Sequence, residues 1–229
     1  MGSGIIDTAV FLQVRLKSKR LPYKAILPLK GGTVMGHIIN ALECVNADLH
    51  VIVTDRESVK FLKPYTLNSS FEIFEGSEDD VLERFCMAAR KYLVKTIIRA
   101  TGDNPLVSCK YANKILELHK KTKADLSHYL GIPLGTGVEV IESNALFRVE
   151  SETKDVFERE HLTTYMYRHR DQFKVIEPYP ERDVILEGVK VSVDTVSDYK
   201  KISRIYNEAY HGKPIEVERL IKWLRDNRI

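Results

Sequence analysis

Cysteine is scarce in this sequence, long apolar runs are missing, and none of the glycine-rich phosphate fingerprints occurs. Each absence removes a class of function. The three cysteines, Cys44, Cys86 and Cys109, lie far apart and include no Cys-x-x-Cys pair. Cys44 and Cys86 fall within apolar helical patterns and read as buried, reduced thiols. No apolar run approaches the length of a membrane span, so no membrane-embedded role is expected. There is no Walker A loop and no Gly-x-Gly-x-x-Gly, which excludes an ordinary P-loop or dinucleotide fold signature. An excess of one charge is also lacking: 35 Lys and Arg stand against 32 Asp and Glu, a net charge of +3. A general nucleic-acid binder is more often strongly basic, so nucleic acid is not an expected partner. No charged-then-apolar leader precedes the first strand, Met1-Gly-Ser-Gly reads as a flexible start, and a cytoplasmic location is expected.

What is present organises around Val10 to Lys24. An apolar run, Thr8 to Val14, reads as a strand buried on both faces of a parallel sheet. It breaks into a loop in which Arg15, Lys17, Lys19, Arg20 and Lys24 are cationic, five residues of ten. Cations at the carboxyl end of a first buried strand sit where open α/β sheets bind ligands. Arg offers forked donors and Lys a point charge, and Ser18 with the loop amides adds hydrogen bonds, so the loop reads as a phosphate clamp. A solvated charge run is the plainer alternative.

Further along, Ile26 to Thr33 marks a turn, and Thr33 caps a helix carrying Met35, Ile38, Ile39, Leu42 and Val45. Leu49–Thr54 is a second strand, followed by a helix from Asp55 to about Pro64, and Phe71–Phe74 is a third strand. Ser77 at an N-cap with Asp80 three residues on opens a helix whose buried stripe is Val81, Leu82, Phe85, Cys86 and Ala89. Lys95–Ala100 is a fourth strand, and a helix with Ala112, Ile115, Leu116 and His119 on one face follows. Strand and helix alternate with short connections to this point, which predicts a parallel, doubly wound sheet. From Asp125 the rhythm changes. Residues 126–130, 138–141, 173–176 and 184–193 read as strands, residues 155–169 as one helix, and two amphipathic helices close the chain. With no repeat and no linker, residues 1–229 are expected to form one domain, with about 125–180 as a β-containing extension.

Three other stretches carry chemistry. Asp103, in Thr101-Gly-Asp103-Asn-Pro105, falls just past the fourth strand, where a carboxylate suits Mg²⁺; a simple Asn-Pro turn competes. Asp194 ends another β-rich run, and Thr195 with Asp198 forms an acidic capping box that leaves Asp194 unexplained. Two carboxylates from separate strand ends would hold one divalent ion against a triphosphate. His161, on the helical Arg159-Glu-His161, is a candidate general base or substrate ligand beside the reading of a packed or surface histidine.

With these residues in view, the sequence resembles the cytidylyltransferases of the CMP-sialate and CMP-KDO synthetase group, nearest to the branch concerned with spore-coat polysaccharide biosynthesis. The likeness runs from about Val10 to Tyr206. It is carried by Arg15-x-x-Ser18-x-Arg20-Leu-Pro-x-Lys24, Gly76-Ser-Glu-Asp-Asp-Val-Leu-Glu-Arg84, Arg99-Ala-Thr-Gly-Asp103-Asn-Pro-Leu, Gly137-Val-Glu-Val, Arg159-Glu-His161 and Val193-Asp-Thr. The resemblance implies a Rossmann-like nucleotide-diphospho-sugar transferase fold and a homodimer. Arg15, Ser18, Arg20 and Lys24 would embrace the CTP phosphates, with Ser77 by the base or ribose, and Arg15, Lys24, Asp103 and Asp194 carrying catalysis. Asp103 and Asp194 would bind Mg²⁺, and Glu139, Arg159, Glu160 and His161 would face a sugar or sugar-acid substrate whose hydroxyl attacks the α-phosphorus. Lys17 and Tyr23 stand where the family loop commonly has glycine, and Val196 replaces the usual proline after Val-Asp-Thr. A glycosyltransferase, against which the absence of Asp-x-Asp speaks, and a non-catalytic nucleotide-binding protein are the alternatives.

Overall fold

In the computed structural model, which describes residues 4–228, strand β1 (Ile6–Gln13) lies in the interior of a seven-stranded sheet. Its residues Ala9, Val10, Phe11 and Leu12 are wholly buried, as the uninterrupted apolar run requires. On one side β1 pairs in parallel with β4 (Leu49–Asp55), and β4 with β5 (Phe71–Gly76). On the other it pairs in parallel with β6 (Val94–Thr101). In chain order these four strands run third, second, first, fourth, so the topology reverses between β1 and β6, and the crevice outside their carboxyl ends is where doubly wound sheets bind ligands. A small hairpin, β2 (Pro28–Leu29) with β3 (Gly32–Thr33), stands apart from the sheet. Beyond β6 come β8 (Glu139–Glu142), β7 (Leu126–Ser127) and β9 (Val175–Ile176), of which only β8 runs antiparallel to β6.

The sheet buries apolar residues on both faces, alternating along each strand. Val10, Leu12, Ile52, Ile98 and Val140 pack with helices α1 (Val34–Leu42), α4 (Cys109–Thr122), α8 (Val196–Ala209) and α9 (Val217–Asp226). Ala9, Phe11, Val51, Val53, Ile97 and Ile141 pack with α3 (Val81–Tyr92) and α5 (Ser143–Glu152). Burying each such large side chain contributes about 1.5–3 kcal/mol before the entropy of ordering it. The helices start where side chains meet their free amides. Thr33 accepts from Gly36 N in α1, Asp55 from Ser58 N in α2 (Arg56–Leu62), and Ser108 from Tyr111 N in α4. The Thr195 and Asp198 capping box opens α8 as expected.

Several expectations are corrected. The N-cap of α3 is Asp80, whose carboxylate accepts from Glu83 N at 2.9 Å, while the Ser77 hydroxyl accepts from Asp80 N and so closes the turn before the helix. The single helix expected over 155–169 is two, α6 (Val156–Glu160) and α7 (Thr164–Arg168). The chain breaks at His161 so that Leu162 and Met166 both reach the core under α3. Helix α5 spans a stretch where no element is expected from the sequence. Residues 184–193 form no strand of the sheet. Their backbone instead bonds to another loop, Leu134 N to Val189 O and Val191 N to Leu134 O, which satisfies the same amides outside the ladder. The expected strand over 126–130 shortens to β7, and Val45 lies past the end of α1. Cys44 is exposed and is paired with Cys109 in a disulfide, their Cα atoms 6.0 Å apart, because the end of α1 lies beside the first turn of α4. Cys86 is the buried free thiol. Of Met1-Gly-Ser-Gly, the first three residues lie outside the described residues. Among the described residues no helix is long and apolar enough to cross a membrane.

Candidate active site

The loop after β1 is held to the sheet by its backbone. Leu16 O accepts from Ser18 N at 3.0 Å and Tyr23 N at 2.8 Å, and Leu16 N donates to the buried Ser58 hydroxyl at 3.1 Å. The cations therefore leave a fixed frame. Tyr23 adopts φ 58°, in the left-handed region that favours glycine, the residue that the resemblance leads one to expect here. Lys17 turns outward and pairs with Glu57 at 2.7 Å and Glu78 at 3.6 Å.

Lys24 joins the predicted carboxylates. Its Nζ donates to Asp103 Oδ2 at 2.7 Å and to Asp194 Oδ1 at 2.8 Å, so the two oxygens are close enough to share one cation. Arg20 donates to the same Asp194 Oδ1 at 2.8 Å, and Lys190 Nζ lies 2.7 Å from Asp194 Oδ2. Burial pushes the Asp194 carboxyl up, but Lys190 and Lys24 outweigh it and hold the group well below the usual carboxylate range. Asp103 is fixed by Thr101, whose hydroxyl donates to its Oδ1 at 2.7 Å and accepts from Asn104 at 2.8 Å. Gly102, between them, permits the close approach of the two loops: a Cβ there would stand 2.7 Å from Val14 Cγ2. The backbone ties the Asp103 and Asp194 segments together, with Val193 N donating to Asp103 O at 2.8 Å.

The other predicted residues divide. Arg15 and Glu160 meet each other, at 2.9 Å across a half-exposed gap, and so close one side of the loop. Ser77 and Arg159 belong to the neighbourhood of α3. Arg159 Nε donates to Asp80 Oδ2 at 2.6 Å and its Nη1 to Thr153 O at 3.1 Å, an anchor between α6 and the cap of α3. His161 is exposed and lies against Phe157, with ring centroids 4.5 Å apart and the rings tilted by 53°. Glu139 opens β8 at the carboxyl edge of the sheet, opposite Arg99.

Beside the Lys24 cluster lies a cavity of about 360 Å³, within the range of small-molecule sites, about 300–1,000 Å³. Of the residues expected to face the substrate, Glu139 alone lines it. The wall also includes Arg99, Asn104, His128, Tyr129 and Tyr167. Arg99 Nη1 donates to Glu139 Oε2 at 2.5 Å, and Glu139 Oε1 accepts from the hydroxyls of Thr163 at 3.0 Å and Tyr167 at 2.9 Å. Burial raises the Glu139 carboxyl, but Arg99 brings it below its ordinary value. A guanidinium interrupting the apolar strand Thr96–Ala100 was the visible signal for Arg99. Nothing local marked His128, Tyr129 or Tyr167.

The geometry can take a polyanion along the basic loop, a divalent cation at two carboxylates and a ring-sized molecule in the cavity. A cytidylyltransferase family model matches residues 9–216. The chain is 29% identical over 230 residues to the spore coat polysaccharide biosynthesis protein SpsF of Bacillus subtilis, covering 96% of this chain and 95% of that one. A cytidylyltransferase structure from Leptospira borgpetersenii superposes with a TM-score of 0.89 at 24% identity, over 97% of this chain and 95% of the other. A CMP:2-keto-3-deoxy-manno-octonic acid synthetase complexed with CTP superposes at 0.68 with 11% identity, over 88% of this chain and 99% of the other. At these identities the two superpositions establish the fold, that of the nucleotide-diphospho-sugar transferases.

Proposed function

The chain belongs to the cytidylyltransferase family, and from that premise we propose that it transfers the CMP unit of CTP to a hydroxyl of a sugar acid or related sugar, with Mg²⁺, in surface polysaccharide synthesis. The observation that carries this reading is the shared placement of Lys24, Asp103, Asp194 and Arg20 at the switch point of the sheet, groups from three loops up to 174 positions apart. The name of the Bacillus subtilis relative supports the polysaccharide setting.

In this reading the triphosphate lies along the loop after β1. Arg20 and Lys24 neutralise its oxygens and Arg15 closes over it from the α6 side. The residues present fit a divalent ion: Asp103 and Asp194 already converge on a single cation, the Lys24 ammonium, and two carboxylates with phosphate oxygens and water make a magnesium-type ligand set. Asp103 and Asp194 would hold the metal, which would supply charge neutralisation to the phosphates. Lys24 then exchanges one carboxylate for a phosphate oxygen. The acceptor hydroxyl, held in the cavity beside Thr101 and Asn104, attacks the α-phosphorus in line. A new oxygen–phosphorus bond forms, the hydroxyl proton passes to solvent, the bond from the α-phosphorus to the bridging oxygen breaks, and pyrophosphate leaves. Such transfer needs positioning and charge stabilisation rather than a protein nucleophile, which suits a site of fixed cations.

The test is pyrophosphate release by purified protein with Mg²⁺, each nucleoside triphosphate and a panel of sugars and sugar acids. Release with CTP and at least one acceptor is expected. Measurable CTP binding with no release for any pair sinks the transferase reading.

A further inference from the structure

Asp194 is held by cations at both of its oxygens. Its Oδ1 accepts from Lys24 and Arg20, each at 2.8 Å, and both belong to the loop that would take up the triphosphate. Once those two turn to phosphate oxygens, the cation left on Asp194 among the described residues is Lys190, whose Nζ lies 2.7 Å from Oδ2. The Ser192 hydroxyl also points at Oδ2, but at 3.4 Å. Lys190 is thus the close partner that fixes how this carboxylate faces when Oδ1 is free for a new cation.

Lys190 is anchored in turn. Its backbone bridges to Leu134, and its carbonyl oxygen accepts from the Lys201 ammonium. Its own ammonium lies 3.1 Å from Asp198 Oδ2 as well. Starting helix α8 does not require that contact. The same Asp198 oxygen already accepts from Asp194 N and Thr195 N, at 3.2 and 3.0 Å, and the Thr195 hydroxyl accepts from Asp198 N at 3.1 Å, which completes the capping box. Asp198 therefore ties the Lys190 ammonium to the start of α8, and the ammonium ties down Asp194.

We propose that Lys190 is a positioning residue for the divalent cation: it holds Asp194 by one oxygen so that the other stays turned toward Asp103 and the loop after β1. The proposal rests on the cytidylyl-transfer reading for Asp194 as a metal ligand. A carboxylate hydrogen-bonded behind its ligating oxygen is already oriented when the ion arrives, and loss of such a partner costs about 10–100-fold in metal affinity. A lysine that acted only through its charge would have the opposite effect, because its removal would leave Asp194 more attractive to a cation. The two roles differ in sign.

The experiment measures CTP binding to the full chain by calorimetry, without acceptor, in EDTA and in Mg²⁺. It compares the unaltered protein with Lys190→Met, which keeps the stem and removes the ammonium. The ratio of the two affinities is the strengthening by Mg²⁺, and the same ligand species serve both proteins, so a change in that ratio belongs to the protein. Mg²⁺ should strengthen binding to the unaltered protein, and in Lys190→Met that strengthening should fall by about tenfold or more. Binding in EDTA should weaken only severalfold, through loss of one partly exposed cation. Lys190→Arg, which keeps the charge and the donors, should restore the ratio. A strengthening in Lys190→Met that equals or exceeds that of the unaltered protein overturns the proposal and leaves the cytidylyl-transfer reading standing. A merely structural lysine would give that result together with a lower thermal midpoint. If Lys190→Met does not fold, Lys190→Gln is read by the same criterion. CTP binding to the unaltered protein that Mg²⁺ does not strengthen refutes Asp194 as a metal ligand, and the proposal falls with it. Absence of CTP binding refutes the cytidylyl-transfer reading as well.

Discussion

Replacing Asp194 with asparagine separates nucleotide binding from turnover. In the folded chain this carboxylate faces three cations, Lys24 and Arg20 at 2.8 Å and Lys190 at 2.7 Å, with a side-chain exposure of only 16%. Asparagine keeps the shape and an acceptor oxygen but removes the charge. Lys24 retains Asp103, so the cost to stability is that of weakening charged hydrogen bonds, about 1–3 kcal/mol. At about 2–4 °C per kcal/mol for a chain of this size, the thermal midpoint falls by several degrees and the protein stays folded. The three cations then carry less compensating negative charge and attract a triphosphate more strongly when no metal is present. Two unit charges about 4 Å apart are worth about 4 kcal/mol at an effective dielectric of about 20. Solvent and salt leave a fraction of that, so CTP binding in EDTA should tighten by about tenfold, which corresponds to about 1.4 kcal/mol. Turnover with Mg²⁺ should move the other way and fall by about 10²–10³-fold, the scale of losing one preorganised electrostatic partner. Calorimetric titration of CTP in EDTA and a pyrophosphate-release assay measure the two halves. Weaker metal-free binding together with unchanged turnover would refute the placement of Asp194 at the metal and phosphates.

Three further outcomes follow from the same coordinates. The Asp194 carboxyl is depressed in the folded state, so its contribution is fully present above the unfolded value of about 3.9 and is lost as pH falls through the folded value. The stability gap between the unaltered protein and Asp194→Asn, read from urea titrations, should be constant from pH 7 to 5 and close progressively below about pH 4; a constant gap down to pH 2 would contradict the ion pairs. Gly135→Ala should cost about 2–4 kcal/mol, because φ is 107° and the new Cβ would stand 2.9 Å from Ser192 N, both backbone strain and overpacking. Gly188→Ala, at φ 75° but with nothing within 4 Å, should cost only about 1–2 kcal/mol, and equal losses in thermal melts would show the loop contact to be unimportant. Arg159→Ala should lower stability by about 1–3 kcal/mol through loss of the Asp80 anchor, whereas a purely substrate-binding arginine would leave the melting temperature unmoved.

The resemblance already pointed to the fold and to the residues of the clamp, while local pattern alone reached the first half of the sheet. The apolar runs at Thr8–Val14 and Leu49–Thr54, the caps at Thr33 and Thr195, and the alternation of strand and helix up to Ala100 are all local signals, and each survives in the structure. The second half was less legible for a physical reason. Its strands are two to four residues long, and residues 184–193 satisfy their backbone against another loop, so neither period nor length marked them. The resemblance gave Arg159 a substrate-facing role; its bond to Asp80, 79 positions away, is marked by no local pattern.

Residue type and order were enough to set cations after one buried strand and single carboxylates after two other runs. Whether those groups were solvated, capping turns or parts of one site was undetermined by any spacing in the sequence. The parallel pairing of β1 with β6 brings the first loop and Asp103 to one edge, and the bond from Val193 N to Asp103 O carries Asp194 to the same place. Only that tertiary closure puts the Lys24 ammonium between two carboxylates. Charge is written in the sequence, but which charges cancel depends on distances of about 3 Å that the fold alone sets.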